Sequence, residues 1–196
     1  MTLKLNDISI KLIVLGALGF IASFVLTLEK MALLQNPAYN PSCSINPLFS
    51  CTSVIASPEA AAFGFPNPFI GIAGFSVVIT IGFAILAGAK FRSWFWQGLQ
   101  AGVLFGIGFV HWLMFETFFE IRALCLYCML AWIAMIPLFV YVTAYNLENR
   151  HIRFSKSKKL GAWLQEHGLK IVAVWYLLVV LVILVNFWDF WQTVLS

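Results

Sequence analysis

Four cysteines are the residues whose type and spacing give this chain the means to do chemistry, and they form two pairs. Cys125 and Cys128 are separated by two residues, a spacing typical of redox-active dithiols and of metal sites. Cys43 and Cys51 are separated by seven residues that include the turn signal Asn46-Pro47. Thiols and disulfides exchange when a thiolate attacks a disulfide sulfur. The pattern therefore predicts a dithiol relay, a set of structural disulfides or a thiolate metal site.

The segments that must position these thiols are strongly apolar. The chain has 196 residues, of which 62% are hydrophobic and 10% charged, whereas soluble domains usually carry about 25% charged residues. A membrane-spanning helix needs about 20 mainly apolar residues. Five stretches meet this requirement and predict an all-α integral membrane protein: residues 8–28, 68–89, 94–119, 123–145 and 169–191. The first stretch is long for the apolar part of a signal peptide, and no Ala-x-Ala site follows it.

The distribution of lysine and arginine predicts how the spans are oriented. With a cytoplasmic N-terminus, only Lys30 and Arg122 lie on the outer side. The other ten cations lie on the inner side: Lys4, Lys11, Lys90, Arg92, Arg150, Arg153, Lys156, Lys158, Lys159 and Lys170. This excess indicates a plasma-membrane protein whose four cysteines face the extracytoplasmic space. The net charge of +4 then reflects topology, and no nucleic-acid partner is expected for the basic residues 150–159.

An extracytoplasmic location permits disulfides. Four cysteines allow three connectivities, and two close pairs on one membrane face favour 43–51 with 125–128. The loop pair can accept electrons from a soluble partner and pass them to Cys125 and Cys128, which open the fourth span. A helix N-terminus favours the thiolate form there. Because this pair lies at lipid depth, a lipid-soluble two-electron acceptor such as a quinone fits.

Two alternatives to the relay remain. In the first, the chain is a transporter or scaffold, and the disulfides serve solely to brace its outer loop. Four thiolates could instead hold zinc, although extracytoplasmic thiols tend to oxidise, and we expect no metal.

Further residues are candidates for a site or for packing. Trp132 lies four residues after Cys128, on the same helix face, where it could form one wall of a ligand pocket or simply pack in the core. His111 in the third span is a candidate proton donor, the alternative being a neutral imidazole bonded to a neighbouring helix. Small residues predict close helix packing in the first and third spans: Gly16, Gly19, Ser23, Thr27, Gly98, Gly102 and Gly106.

The motifs together resemble a known family. They are the loop pair Cys43 and Cys51, Ser57 six residues later, the sequence Pro-Asn-Pro-Phe-Ile-Gly at 66–71, and Cys-Leu-Tyr-Cys at 125–128. In this order they resemble the bacterial homologues of vitamin K epoxide reductase over nearly the whole chain. The resemblance implies a four-helix bundle around a quinone site, plus a fifth transmembrane helix.

The resemblance also implies roles for individual residues. Cys128 faces the quinone and Cys125 exchanges with the loop pair. Ser57 and Asn67 lie near the quinone, and Trp132 stands where animal members carry tyrosine. The implied activity carries electrons from a thioredoxin-like, DsbA-like protein to menaquinone, ubiquinone or a related quinone. Reduction of vitamin K epoxide or quinone as the physiological direction is the runner-up.

These readings predict a division of the chain. Residues 1–145 form the redox core, including an outer loop at 29–67. Residues 146–168 form a basic cytoplasmic loop, and residues 169–196 hold the fifth helix. Because no thioredoxin-like domain follows, we expect the redox partner to be a separate protein.

Overall fold

The computed structural model describes residues 2–152 and 155–195, and within these ranges the chain is helical with no strands. Its α-helices are α1 (Thr2–Gln35), α2 (Cys51–Ala56), α3 (Pro68–Leu86), α4 (Ser93–Phe115), α5 (Leu126–Glu148), α6 (Ser157–Asn186) and α7 (Trp188–Leu195). A 3₁₀ turn at Pro58–Ala61 follows α2, and a π-helical turn at Glu116–Ile121 extends α4.

Five of the helices are long and apolar enough to cross a membrane, namely α1, α3, α4, α5 and α6. This confirms the predicted all-α integral membrane fold. α1 packs along α3, and α5 packs against α1, α4 and α6. Four helices thus form a bundle, and α6 lies on its outside. Much of the outward surface is large and apolar, as with Leu169 and Val185, which are 74% and 73% exposed. Such a surface suits lipid as its solvent.

Two helices extend into the predicted loops, because polar residues do not end a helix. α1 continues to Gln35 and takes residues 29–35 from the predicted outer loop. α6 begins at Ser157, so residues 157–168 of the predicted cytoplasmic loop are helical. These stretches contain Lys, Leu, Gln and Glu, which are good helix formers. Arg153, one of the counted cations, and the terminal residues 1 and 196 of the predicted division lie outside the described residues. The division itself stays a prediction.

The small residues of the first span pack as expected. A Cβ added to Gly19 would meet the ring of Phe75 on α3, and one added to Gly71 would meet Ser23 on α1. The third-span prediction is wrong for Gly98 and Gly102, since no atom of another element in the described residues lies within 4 Å of a Cβ added there. α4 instead buries its larger residues against the bundle, and these are Leu99, Val103 and Ile107. Of the predicted third-span glycines, Gly106 alone meets a neighbour, the side chain of Met135.

The chain reverses sharply between α4 and α5. The π-helical turn ends at Arg122, whose φ of 55° lies in the left-handed region. A non-glycine residue in this conformation is uncommon and is strained by about 1–2 kcal/mol. Residues 123–125 leave the turn in an extended form, which Cys125 ends as the N-cap of α5. The reversal therefore delivers Cys125 to the end of the bundle where α1 finishes and α3 begins.

The α1–α3 contact gives a stability prediction. A Cβ at Gly82 would lie 2.9 Å from the carbonyl oxygen of Ser9 and 3.2 Å from the backbone nitrogen of Ile13. Because backbone atoms cannot swing aside, Gly82→Ala should destabilise the protein by about 1–3 kcal/mol. The control Gly102→Ala meets open space and improves helix propensity by up to about 1 kcal/mol. Denaturant unfolding in detergent measures both, and equal stabilities for the two variants would contradict this packing.

Candidate functional site

A short backbone pairing brings the two cysteine segments together. The Ser50 N–H donates to the Leu124 carbonyl at 3.0 Å, and the Leu124 N–H donates to the Leu48 carbonyl at 2.7 Å. These bonds form a parallel bridge between Phe49 and Leu124. Because Cys51 and Cys125 are the next cysteines along each paired segment, the bridge sets their side chains beside each other.

Three sulfur atoms cluster at this point. Cys43 and Cys51 are joined in a disulfide, and the Sγ atoms of Cys51 and Cys125 are 3.0 Å apart. The Sγ atoms of Cys43, Cys51 and Cys125 all lie within 4.8 Å of one another. The cluster therefore has the composition that thiol–disulfide exchange needs, a free thiol in contact with a disulfide sulfur, and all three cysteines are buried.

The predicted pairing holds for one pair. The 43–51 disulfide is confirmed, whereas the 125–128 disulfide is not formed, because Cys125 and Cys128 are free thiols. In this redox state the loop pair holds the disulfide and the thiol of Cys125 faces it. Cys43 and Cys51 are bonded to each other and offer no thiolates, so the sulfur cluster does not amount to a zinc site.

The position of Cys125 tunes its acidity. A hydrogen bond with Cys128 lowers the pKa of the Cys125 thiol, backbone N–H groups at the start of α5 act in the same direction, and burial opposes them. The net pKa lies below the ordinary value. The thiolate is the nucleophile in exchange. Of the two free thiols, Cys125 is therefore the one suited to react with the neighbouring disulfide.

Polar contacts that the sequence did not predict hold the loop around Cys43. The buried carboxylate of Glu29 on α1 accepts hydrogen bonds from the Ser42 N–H at 3.3 Å and from its hydroxyl at 2.6 Å. The Ser42 hydroxyl also lies 3.2 Å from the Tyr127 hydroxyl on α5. On the other side of Cys43, the Ser44 and Thr52 hydroxyls are 2.9 Å apart. An acidic residue within an apolar helix would have been the signal for Glu29, but the predicted loop began there.

Two residues implied by the family resemblance lie on the segment after α2. The Ser57 hydroxyl is buried and has no hydrogen-bond partner among the described residues, which fits a site for a ligand with an acceptor oxygen. The Asn67 amide is occupied: it donates to the Glu59 carbonyl at 2.7 Å and accepts from the Ala62 N–H at 3.0 Å. Asn67 therefore braces the segment from residue 59 to residue 67.

An open groove of about 490 Å³ lies between α4 and the segment that follows Ser57 in the chain. It is lined by Pro58, Glu59, Ala62, Phe63, Phe109 and Trp112. Its aromatic lining suits a flat apolar ligand, and neither Ser57 nor a cysteine is among the lining residues. Trp132 is not among the lining residues; it is buried and packs edge-on against Phe118, with ring centroids 5.7 Å apart. Cys128 is half-buried and packs against the same apolar core as Trp132.

His111 links α4 to α6. Its Nε2 accepts a hydrogen bond from the Trp175 indole N–H at 3.0 Å, and its Nδ1 lies 2.8 Å from the Ile107 carbonyl. An Nε2 that accepts and an Nδ1 that donates describe a neutral imidazole with both nitrogens engaged. This arrangement supports the packing alternative, and the proton-donor role stays a prediction.

Comparison with known families gives one match. The family described as "Vitamin K epoxide reductase family" matches residues 10–143, a range that contains every candidate site residue discussed above. No curated protein matches the chain.

The hydrogen bond between the two free thiols can be tested by titration. Cys128→Ala removes the bond that contributes most to the lowered pKa of Cys125, so the pKa of Cys125 should rise. The parent is the Cys43→Ala/Cys51→Ala variant, which leaves the helix pair unoxidised by the loop. Alkylation of Cys125 by iodoacetamide, mapped by mass spectrometry across pH, should show its midpoint move upward. An unchanged midpoint would show that Cys128 does not tune Cys125.

Proposed function

The chain belongs to the vitamin K epoxide reductase family, and on that premise we propose that it is a quinone-dependent thiol–disulfide oxidoreductase. It passes electrons from a separate thioredoxin-like, DsbA-like protein through Cys43 and Cys51 to Cys125 and Cys128, and on to a membrane quinone. The observation that carries the proposal is the 3.0 Å contact between the Sγ atoms of Cys51 and Cys125. The cysteines face the extracytoplasmic space and the N-terminus is cytoplasmic, as the cation distribution predicts.

In the first exchange, the partner reduces the loop disulfide. A thiolate of the partner attacks Cys43 and displaces Cys51 as a thiolate, and the second partner thiol then resolves the mixed disulfide. Cys43 lies in the loop between α1 and α2, whereas Cys51 begins α2 and touches Cys125. This difference supports a role for Cys43 in exchange with the partner and for Cys51 in the internal step. The partner leaves with a disulfide, and the loop gains two electrons and two protons.

The second exchange moves these electrons inward. The Cys51 thiolate attacks Cys125 of a Cys125–Cys128 disulfide, and Cys128 leaves as a thiolate that takes up a proton. The Cys43 thiolate then attacks Cys51, which restores the loop disulfide and releases Cys125. The product has a loop disulfide and two free thiols on α5, the same oxidation state as in this structure. Structural disulfides alone would leave the free pair unexplained.

Closing the Cys125–Cys128 disulfide completes the cycle and releases two electrons and two protons. A quinone supplies a two-electron, two-proton acceptor that is soluble in the membrane. Three residues are proposed for its site: Ser57 as a direct contact, Asn67 as a brace of the segment from residue 59 to residue 67, and Trp132 as a core residue near Cys128. Ser57 contributes a buried hydroxyl free to donate to a carbonyl oxygen, where it would stabilise developing negative charge.

Trapping the internal mixed disulfide tests which loop cysteine contacts Cys125. Cys43→Ser/Cys128→Ser removes both resolving thiols, so a Cys51–Cys125 disulfide should accumulate in most molecules after mild oxidation. The matched variant Cys51→Ser/Cys128→Ser offers only Cys43, and we expect less than about a tenth as much cross-link because Cys43 is not the contacting sulfur. Peptide mapping quantifies both. More Cys43–Cys125 than Cys51–Cys125 product would reverse the assignment.

The dependence on Cys128 tests the enzymatic reading. Cys128→Ser should lower quinone-dependent oxidation of a reduced thioredoxin-like protein by at least about a hundredfold, because the helix disulfide cannot form. A short-chain ubiquinone analogue serves as acceptor, and vitamin K epoxide is supplied in a parallel reaction to compare the two directions. Retention of the Cys43–Cys51 disulfide shows that the variant is folded. Wild-type turnover by this variant would exclude the relay.

A further inference from the structure

The disulfide that must meet a soluble partner is enclosed. Cys43 is 2% exposed and Cys51 is fully buried. A partner thiolate must reach a sulfur atom along the disulfide bond for exchange to occur. In this arrangement protein atoms cover the approach. Oxidation of a partner therefore requires the segment around Cys43 to move, and the contacts that hold this segment decide how readily it does so.

The contacts on the two sides of Cys43 differ in kind. Ser44 is held by neutral groups of Thr52: the two hydroxyls are 2.9 Å apart, and the Ser44 hydroxyl accepts from the Thr52 N–H at 3.1 Å. Ser42 is held by the carboxylate of Glu29, through both its N–H and its hydroxyl. Hydrogen bonds to an ionised carboxylate are roughly twice as strong as those between neutral groups. The Glu29 contact is therefore the strongest polar restraint on the segment among the hydrogen bonds of the described residues.

The burial of Glu29 is itself informative. Its side chain is 6% exposed, and its Oε2 atom has no hydrogen-bond partner in the described part of the chain. Burying a carboxylate is costly unless it is paired. If this position served only packing, an apolar residue would be more stable there than Glu29. The next residue, Lys30, donates to the Ile55 carbonyl of α2 at 2.6 Å. The end of α1 thus forms hydrogen bonds both to the segment around Cys43 and to α2, which begins with Cys51.

We propose that Glu29 is a positioning residue that latches the Cys43–Cys51 disulfide over Cys125, and that breaking its contact with Ser42 admits the soluble partner. The biological role of the latch rests on the proposed function. The latch itself can be tested independently, because it governs how exposed the loop disulfide is to any reductant in solution. Glu29 undergoes no redox change; its carboxylate only accepts hydrogen bonds.

The direct test is the rate at which tris(2-carboxyethyl)phosphine reduces the loop disulfide of the purified full chain, followed by alkylation and mass spectrometry. Glu29→Ala should accelerate reduction by about tenfold, as expected for losing hydrogen bonds to a charged group. Glu29→Gln keeps an acceptor oxygen and should stay within about threefold of wild type. Thr27→Val is the matched control: it removes a buried hydroxyl on the same helix, one that donates to the Ser23 carbonyl within its own helical turn.

Ser42→Ala provides a second route to the same contact if Glu29→Ala fails to fold. It should accelerate reduction less than Glu29→Ala, because the Ser42 N–H still reaches the carboxylate. The double variant should fall short of the product of the two single accelerations, because both changes remove the same hydroxyl–carboxylate bond. Reduction at the wild-type rate in Glu29→Ala or Ser42→Ala would overturn the latch. Equal acceleration by Thr27→Val would also overturn it, since that result indicates general loosening of α1.

A further measurement separates the latch from the proposed function. Dithiothreitol-driven reduction of a short-chain ubiquinone analogue by the Cys43→Ala/Cys51→Ala variant bypasses the loop, so adding Glu29→Ala should leave its rate unchanged. A large loss there would give Glu29 a role beyond the loop and overturn the proposal. If wild-type protein reduces no quinone at all, the proposed function fails, whereas the phosphine reduction rates still decide the latch.

Discussion

The structure depends on two backbone hydrogen bonds that join Leu48 and Ser50 to Leu124. Thiol–disulfide exchange needs sulfur atoms in contact, and these bonds are what place Cys51 3.0 Å from Cys125. The long helices supply the frame, and the left-handed turn at Arg122 returns the chain toward the loop. Because the bonds are made by backbone groups, the approach of the two segments does not depend on the side chains at the paired positions. The junction therefore holds Cys51 and Cys125 in contact.

Much of the fold follows from apolarity alone, and so it could be predicted from the sequence. Five stretches too apolar for a soluble protein become five long helices, and the short spacing of Cys43 and Cys51 becomes a disulfide. Helix rotation could not be predicted in this way. In lipid both faces of α4 are apolar, so Gly98 and Gly102 gave no indication that they point away from the bundle. The redox state of a cysteine pair also cannot be read from its spacing. Cys125 and Cys128 are separated by two residues, a spacing that permits a disulfide, and yet both are free thiols.

The missed part of the site has a common physical cause. A span predicted from hydropathy ends at its first charged residues, whereas a helix ends where its backbone hydrogen bonding stops. Glu29 was therefore placed in a loop, although it lies inside α1 and binds Ser42 from there. The contacts of Ser42 with Tyr127 and of Leu124 with Ser50 join residues more than seventy positions apart. Such contacts arise only from the tertiary fold, and no local pattern announces them.

In the proposed relay, the acidity of Cys125 would give electron transfer a direction. A mixed disulfide between Cys51 and Cys125 can be resolved in two ways: Cys43 can attack Cys51 and release Cys125, or Cys128 can attack Cys125 and release Cys51. The thiol with the lower pKa leaves faster. The hydrogen bond from Cys128 lowers the pKa of Cys125, which favours the first outcome. On the proposed function, electrons would then collect on the α5 pair, at the edge of the apolar core, and the loop would regain the disulfide that the proposed partner needs. The same N-terminal turn of α5 would thus hold the acceptor thiols and favour exchange toward them.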